Sequence, residues 1–395
     1  MRTHGADPQL PAVAQAPDAR GEAAPGAPVL SPPSDTLESV GEVEALKRIF
    51  PRLPAAASAL LGPGDDAAVI SAPDARFVVT TDMMIHGPDF RLAWSTPHDL
   101  GWKAAVTNLA DVAAMGARPS ALVVAIAAPL DTPVATLEGI ADGLRDACAA
   151  LAPGAGVVGG DLSVSRTLTL AVTAFGDLDG RAPVVRSGAR PGDVVAVAGD
   201  LGRAGAGIWL LFDRAMSSVA TASASASSSP TTTSPTVTRH PDATLGRAVR
   251  HHHPALIEAQ LAPTSPLHAG VAAAEGGATA MLDVSDGLVL DAGRIATASG
   301  CSIDFSHAAI EAEAAALRAV DDVIGAQSRD FVLCGGEDHA LLATFAPSVP
   351  LPAGFRRIGV VLERAAGHPL VTVGGEAYVK PGGWDPFSDW NGAEG

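Results

Sequence analysis

The sequence predicts a two-domain α/β protein, and three observations predict it. The chain has 395 residues, 47% of them hydrophobic and 17% charged, enough to bury a sizeable core and long for only one. Helix-like and strand-like apolar patterns alternate along it. That alternation closes near Gly180 and starts afresh at Pro191-Gly192-Asp193. Residues 1–36 are dominated by Ala, Pro, Gly and Ser without apolar periodicity and read as a disordered tail. The first domain is expected over 37–185, with folding starting at Gly41, where Val43, Leu46, Ile49 and Phe50 recur at helical spacing. A Gly-rich loop and a strand over 77–81 follow. Thr96-Pro97-His98-Asp99 combines an N-cap, a proline at the first helical position and an acid at the third, and opens a helix that Gly116 stops. Next come a buried strand over 121–128, a helix over 133–151, a turn at Gly159-Gly160-Asp161 and a half-exposed strand over 167–175.

The second domain, 186–395, opens with a strand over 194–198 and a glycine-rich turn over 199–207. Residues 216–238 are almost wholly Ser, Thr, Ala, Val and Pro and read as a surface insertion outside both cores. Order is expected to return by Leu261. A strand ending at Asp283 passes into a helix that Ser285 can cap and Gly300 can stop, and a strand over 341–345 follows Gly335-Gly336-Glu337-Asp338.

Net charge is −17, which argues against nucleic acid as a partner, because binding the phosphate backbone needs a basic face. The longest apolar stretch, 121–130, is too short to cross a bilayer and no secretory apolar core stands near the N-terminus, so a cytoplasmic protein is expected. Cys148, Cys301 and Cys334 are odd in number and lack CxxC spacing, which argues against a disulfide framework or a zinc site. Lys47, Lys103 and Lys380 are the lysines, and none stands in a P-loop phrase; HRD and DFG are absent too. Glycines 199, 202, 205 and 207 miss the GxGxxG spacing, and Ser285 lacks the GxSxG surroundings of a nucleophile. His251-His252-His253 reads as a surface segment with no acidic or Cys companion near in sequence.

Aspartates carry the functional signal. They fall in Gly62-Pro63-Gly64-Asp65-Asp66-Ala67-Ala68, Thr80-Thr81-Asp82, Asn108-Leu109-Ala110-Asp111, Gly159-Gly160-Asp161 and Asp283-Val284-Ser285-Asp286-Gly287. A carboxylate beside apolar structure is costly unless paired, hydrogen-bonded or bound to metal, so five such phrases point to a shared cation site for Mg²⁺ carrying a polyphosphate. Taken singly each has an ordinary reading. Asp65-Asp66 also fits a solvated turn, Asp82 a strand end, and Asp111 a partner for Lys103. Asn108 and Asp111, three apart on a helix, reach one ligand, with Lys103 and Thr107 on adjoining positions. Backbone N–H groups around Ser285 at a helix start favour a phosphate oxygen.

In order, these phrases, with Lys103 through Asp111 to Ala114-Met115-Gly116-Ala117, Arg186-Ser187-Gly188, Gly335-Gly336-Glu337-Asp338 and Gly383-Trp384-Asp385, resemble the thiamine-monophosphate kinases of the aminoimidazole ribonucleotide synthetase-like superfamily, over about 41–387. The resemblance implies an N-terminal α/β domain that dimerises through its sheet, a C-terminal α/β domain, and ATP held between them by several Mg²⁺ ions. It implies phosphoryl transfer from ATP to thiamine phosphate. By motif position it makes Asp66, Thr80, Thr81, Asp82, Asp111, Asp161, Asp283 and Asp286 metal ligands, sets Gly160, Asp161, Arg186 and Ser285 on ATP, and faces Asp89, Glu337 and Trp384 to thiamine phosphate. Asp89 stands where the family has His, His339-Ala340 where it has Tyr-Glu, and Pro386 where it has His; all three touch the acceptor side. The alternatives are another ATP-dependent enzyme of the superfamily, a cyclo-ligase or selenophosphate synthetase among them, or a non-catalytic Mg-nucleotide sensor.

Overall fold

The computed structural model describes residues 35–63, 67–221 and 236–378. Helix α1 (Leu37–Ile49) starts ahead of Gly41, from a capping box in which Thr36 and Ser39 exchange hydrogen bonds. Gly41 has φ +76° and breaks the helical geometry, and the expected stripe after it is only partly buried, with Phe50 42% exposed. Leu37, Ala45 and Ile49 are buried, while Val43 is 69% exposed. Strands β1 (Ala59–Leu61) and β2 (Val69–Ile70) pair antiparallel. Next come β3 (Val78–Ile85), α2 (Pro97–Ala114), β4 (Arg118–Ala128), α3 (Val134–Leu151), β5 (Gly156–Val164) and β6 (Thr169–Asp177). They form a four-stranded sheet in the order β3-β6-β4-β5, parallel only between β4 and β5.

Helix α2 forms as the sequence predicts: Thr96 and Asp99 make the capping box, Pro97 opens it and Gly116 follows its end at φ +73°. It lies against α3 so closely that a Cβ on Gly101 would meet Ile140 O at 1.9 Å. Gly159-Gly160-Asp161 is not a turn but the middle of β5. A Cβ on Gly160 would lie 1.9 Å from Val124 O, so the glycine is there for strand proximity rather than for chain reversal.

The second half contributes β7 (Val194–Ala198), α4 (Arg203–Arg214), β8 (Met216–Thr221), β9 (Thr236–Pro241), α5 (Ala243–His252), α6 (Pro254–Leu261), α7 (Leu267–Glu275), β10 (Ala278–Val284), α8 (Leu288–Ser299), β11 (Cys301–Phe305), α9 (His307–Val320), α10 (Ser328–Cys334), β12 (Ala340–Phe345), β13 (Arg356–Glu363), β14 (Val371–Val373) and β15 (Glu376–Ala377). Its seven-stranded sheet runs β10-β12-β7-β13-β11-β14-β15. The expected glycine turn over 199–207 is shorter than predicted, because α4 takes Gly205 and Gly207 into its packed face against Gly335 and Leu256. Order returns well before Leu261, with α5 and α6. The predicted insertion is framed by the β8–β9 ladder, and Met216 packs on the second core; residues 222–235 lie outside the described residues.

One core joins α1–α3 and the first sheet to Leu267, Ala273, Met281 and Phe345, so packing bridges the expected seam near 180–190. A second core fills the space between α4, α6, α8–α10 and the larger sheet. Among the described residues, no helix is long and apolar enough to cross a membrane.

Candidate active site

The site grows from three elements: β3, the face of α2 turned to it, and the end of β10. Thr80 and Asp82 are two apart and share one face of β3. Thr80 Oγ1 donates to Asp111 Oδ2 at 2.8 Å, and the Asp82 backbone N–H donates to Asn108 Oδ1 at 3.0 Å. The helical spacing of Asn108 and Asp111 thus meets the strand spacing of Thr80 and Asp82. Asp283 is buried at the end of β10. Burial first, then the charges of Asp283 and Asp82, push the Asp111 carboxyl up to about 7, against the pull of the Thr80 hydroxyl. Asp82 is raised by burial and then by Asp283 and Asp286. Neither has an ion-pair partner among the described residues. Thr80, Asp111, Asp283 and Arg186 line one cavity of about 690 Å³, with Val78 and Met281 among its apolar walls.

A second cluster adjoins it. The loop after α10 carries Glu337 and His339 at φ 65° and 49°, a left-handed conformation costly for such residues. It is tied to β10 by Glu337 N donating to Ser285 O at 2.7 Å and His339 N to Val284 O at 3.0 Å. Glu337 Oε2 accepts from Lys103 Nζ at 2.9 Å and from Gln260 Nε2. Burial pushes this carboxyl up, but Lys103, Gln260 and His339 together hold it below its usual range. His339 Nδ1 lies 3.1 Å from Asp283 Oδ2 and its Nε2 3.4 Å from Thr107 Oγ1, linking the two clusters. Asp338 turns away and caps α4, accepting from Gly202 N and Ala204 N. Asp89 is half-buried and accepts from Ile85 N at 2.7 Å. Burial, then Glu337, raise its carboxyl, with the Ile85 bond opposing.

Not every expected residue joins. Thr81 lies on the opposite face of β3, its hydroxyl donating to Val172 O. Gly160 and Asp161 are on β5, at the far edge of the sheet; the row Asp82, Val172, Val124, Gly160 crosses three strand spacings, about 14 Å. Ser285 does not cap α8. Gly287 is its N-cap residue, and the Asp291 carboxylate accepts from Asp286 N and Gly287 N instead. Asp286 pairs with Arg294. Asp66 and Trp384 lie outside the described residues. His253 does have an acidic companion, Asp321 at 2.5 Å, though 68 residues away in sequence.

Sequence reasoning missed Gln260, His339 as a bridge, and Asp291. Lys103 offered a signal, a lysine in an otherwise apolar helix segment; Gln260 offered none. Among the described residues, no three His, Cys, Asp or Glu side chains converge tightly enough to hold an ion alone. That suits Mg²⁺, which takes one or two carboxylates and fills its remaining positions with phosphate and water. Asp82 and Asp111, crowded by Asp283 and without an ion-pair partner among the described residues, are donors a divalent cation would neutralise, so the residues fit the metal.

The model of the AIR synthase related protein N-terminal domain matches residues 64–178, the stretch that carries the four-stranded sheet. Thiamine-monophosphate kinase of Mycobacterium tuberculosis is 43% identical over 360 residues, covering 91% of this chain and 96% of that protein. The solved thiamine-monophosphate kinase of Stenotrophomonas maltophilia K279a superimposes with a TM-score of 0.63 at 29% identity, over 85% of this chain and 97% of that one. AaThiL complexed with AMPPCP and TMP gives 0.60 at 29% identity, over 81% and 90%. The chain belongs to the thiamine-monophosphate kinase family.

Proposed function

We propose that the protein transfers the γ-phosphoryl group of ATP to thiamine phosphate, giving ADP and thiamine diphosphate, as a cytoplasmic homodimer. The observation that carries this reading is the cavity in which Thr80, Asp111, Asp283 and Arg186 meet beside the Glu337 cluster. Thr80, Asp82, Asp111 and Asp283 would hold several Mg²⁺ ions between them, one or two carboxylates to each; when bound, these neutralise the phosphate charge that an acidic protein would otherwise repel. Arg186, exposed at the cavity rim, binds phosphate oxygens. A phosphate oxygen of the acceptor attacks the γ-phosphorus in line; the new O–P bond forms as the bond to the ADP oxygen breaks. No general base is needed, since that oxygen is already largely deprotonated at neutral pH. The chain's own contribution is alignment.

Gly160, Asp161 and Thr81 fit this scheme only with a second copy. Val79 and Met83 on the same face of β3 as Thr81 are 60% and 58% exposed, an apolar face suited to pairing with another sheet. A second copy would bring its β5 edge toward β3, supplying Asp161. Residues 37–185 would then form the dimerising domain and 186–395 the domain that closes over the acceptor, with Asp89, Glu337 and Trp384 facing thiamine phosphate and Asp286 and Ser285 on the nucleotide side.

Incubation with ATP, Mg²⁺ and thiamine phosphate tests the reading: thiamine diphosphate and ADP should appear in equal amounts. ADP formation with a different phosphate acceptor, and none with thiamine phosphate, would transfer the assignment to a sister enzyme; nucleotide binding with no turnover would mark a sensor.

A further inference from the structure

At the acceptor end of the cleft, the fold leaves one buried polar atom without a partner. Gln260 on α6 is 3% exposed. Its Nε2 donates to Glu337 Oε2, while its Oε1 accepts no hydrogen bond among the described residues. Flipping the amide would set its oxygen against the carboxylate, so the partner fixes the orientation. An unpaired buried acceptor is costly, and the neighbouring helix positions Leu256, Ile257 and Leu261 are all buried apolar residues.

Glu337 has the complementary feature. Lys103 and Gln260 both donate to Oε2, leaving Oε1 without a hydrogen bond among the described residues, and the side chain is 37% exposed. Lys103 comes from α2, Gln260 from α6, and Glu337 from a left-handed loop position, so three separate segments converge on one carboxylate. The shared hydrogen bond keeps the two free oxygens on neighbouring groups. Two acceptors so placed match an amino group with two N–H donors.

We infer that Gln260 is a specificity-determining residue: its Oε1 and Glu337 Oε1 receive the two N–H donors of an exocyclic amino group on the acceptor's heterocycle, with Lys103 fixing the carboxylate. The inference rests on the kinase reading and adds to it the atoms that select an aminopyrimidine, the ring type thiamine phosphate carries. A site built to bond an N–H group rejects an analogue lacking it strongly, because its own acceptors are then left unpaired.

The test compares thiamine phosphate with the analogue bearing a hydroxyl in place of the pyrimidine amino group, in the full-length wild-type protein and in Gln260→Met and Gln260→Leu. Wild-type kcat/KM should favour thiamine phosphate by about 100-fold or more. In the variants this preference should shrink by about tenfold through the KM of the acceptor, with the KM for ATP within about twofold of wild type. Equal use of both acceptors by the wild type would overturn the inference without any variant, as would a folded variant that keeps the full preference. No thiamine diphosphate from the wild type would instead overturn the kinase reading itself, and this inference with it.

Discussion

At the Thr80 end of the cleft, Asp82 and Asp111 have no ion-pair partner among the described residues, and burial and the charge of Asp283 raise their carboxyls against the weaker pull of His339. At the other end Glu337, in a strained loop and part-exposed, has Lys103 and Gln260 on one oxygen, and its carboxyl is lowered. Two acidic sites joined through His339 therefore have opposite electrostatic states. The difference bears on the proposed roles: a divalent cation would bring the positive charge that the first lacks, while the second already has its cation and would offer a fixed, ionised acceptor to a ligand.

The comparison breaks most visibly at Asp111. Asp111→Asn should lower turnover by about 100-fold or more, while the thermal midpoint of the metal-free protein stays level or rises, because a crowded carboxylate has been removed. Asp283→Asn should lose activity similarly but lower that midpoint, since Asp283 answers buried His339. Kinetics and melting curves in excess chelator check both; full activity in chelator would remove the metal from the scheme. At the other end, Lys103→Met should leave Glu337 half-exposed but uncompensated, raising the KM for thiamine phosphate by about tenfold with little change in the KM for ATP. Equal shifts in both would mean the two ends are not separate.

The pH dependence sharpens the same contrast. Asp111 holds its proton to about 7 when folded against 3.8 when unfolded, so the folded state is the better proton binder and this contribution to stability falls as pH climbs from about 4 to about 7. Asp291 and Asp338, each raised to about 7, add to that slope. Glu337 has the opposite sign: its folded value is below 4.5, so its contribution is present above that pH and is lost as pH falls through the folded value. Thermal midpoints of the metal-free protein across pH 3 to 8, about the range of these groups, should show a decline toward neutrality that Asp111→Asn flattens in part. Glu337→Gln should soften the acid-side loss. An Asp111→Asn profile parallel to wild type would contradict the crowded-carboxylate account.

Local chemistry was the legible part. The Thr96-Pro97-Asp99 start of α2, its end before Gly116 and the pairing of Asn108 and Asp111 on one face all follow from contacts within a few residues. So does β7 at 194–198. What failed depended on distant neighbours. Gly160 reads as a turn until the Val124 backbone is set against it. The acceptor cluster joins residues 77 and 234 positions apart in Gln260–Glu337 and Lys103–Glu337; no periodicity marks such a pair. Charge pattern along the chain located the carboxylates but not their partners, and the partners separate the two ends of the cleft.

The smallest expected effect lies away from both ends. The β8–β9 ladder closes on the pair Thr221 and Thr236, whose Cα atoms stand about 5 Å apart as in any antiparallel pair. A two-residue Asn-Gly turn spans such a gap in the twist the strands prefer. Replacing 222–235 by Asn-Gly should therefore retain the ladder, the packing of Met216 on the second core and the Arg239 bond to Phe212 O. The composition of the removed segment, nearly all Ser, Thr, Ala and Pro, gives it little apolar surface to contribute to either core. Turnover and thermal midpoint should match the full-length protein within about twofold and about 2 °C, roughly the shift of a sub-kcal/mol change in a chain of this size. A larger fall in acceptor affinity alone would place the segment over the Glu337 end, whereas a fall in both substrates' affinities would deny that the two ends act separately.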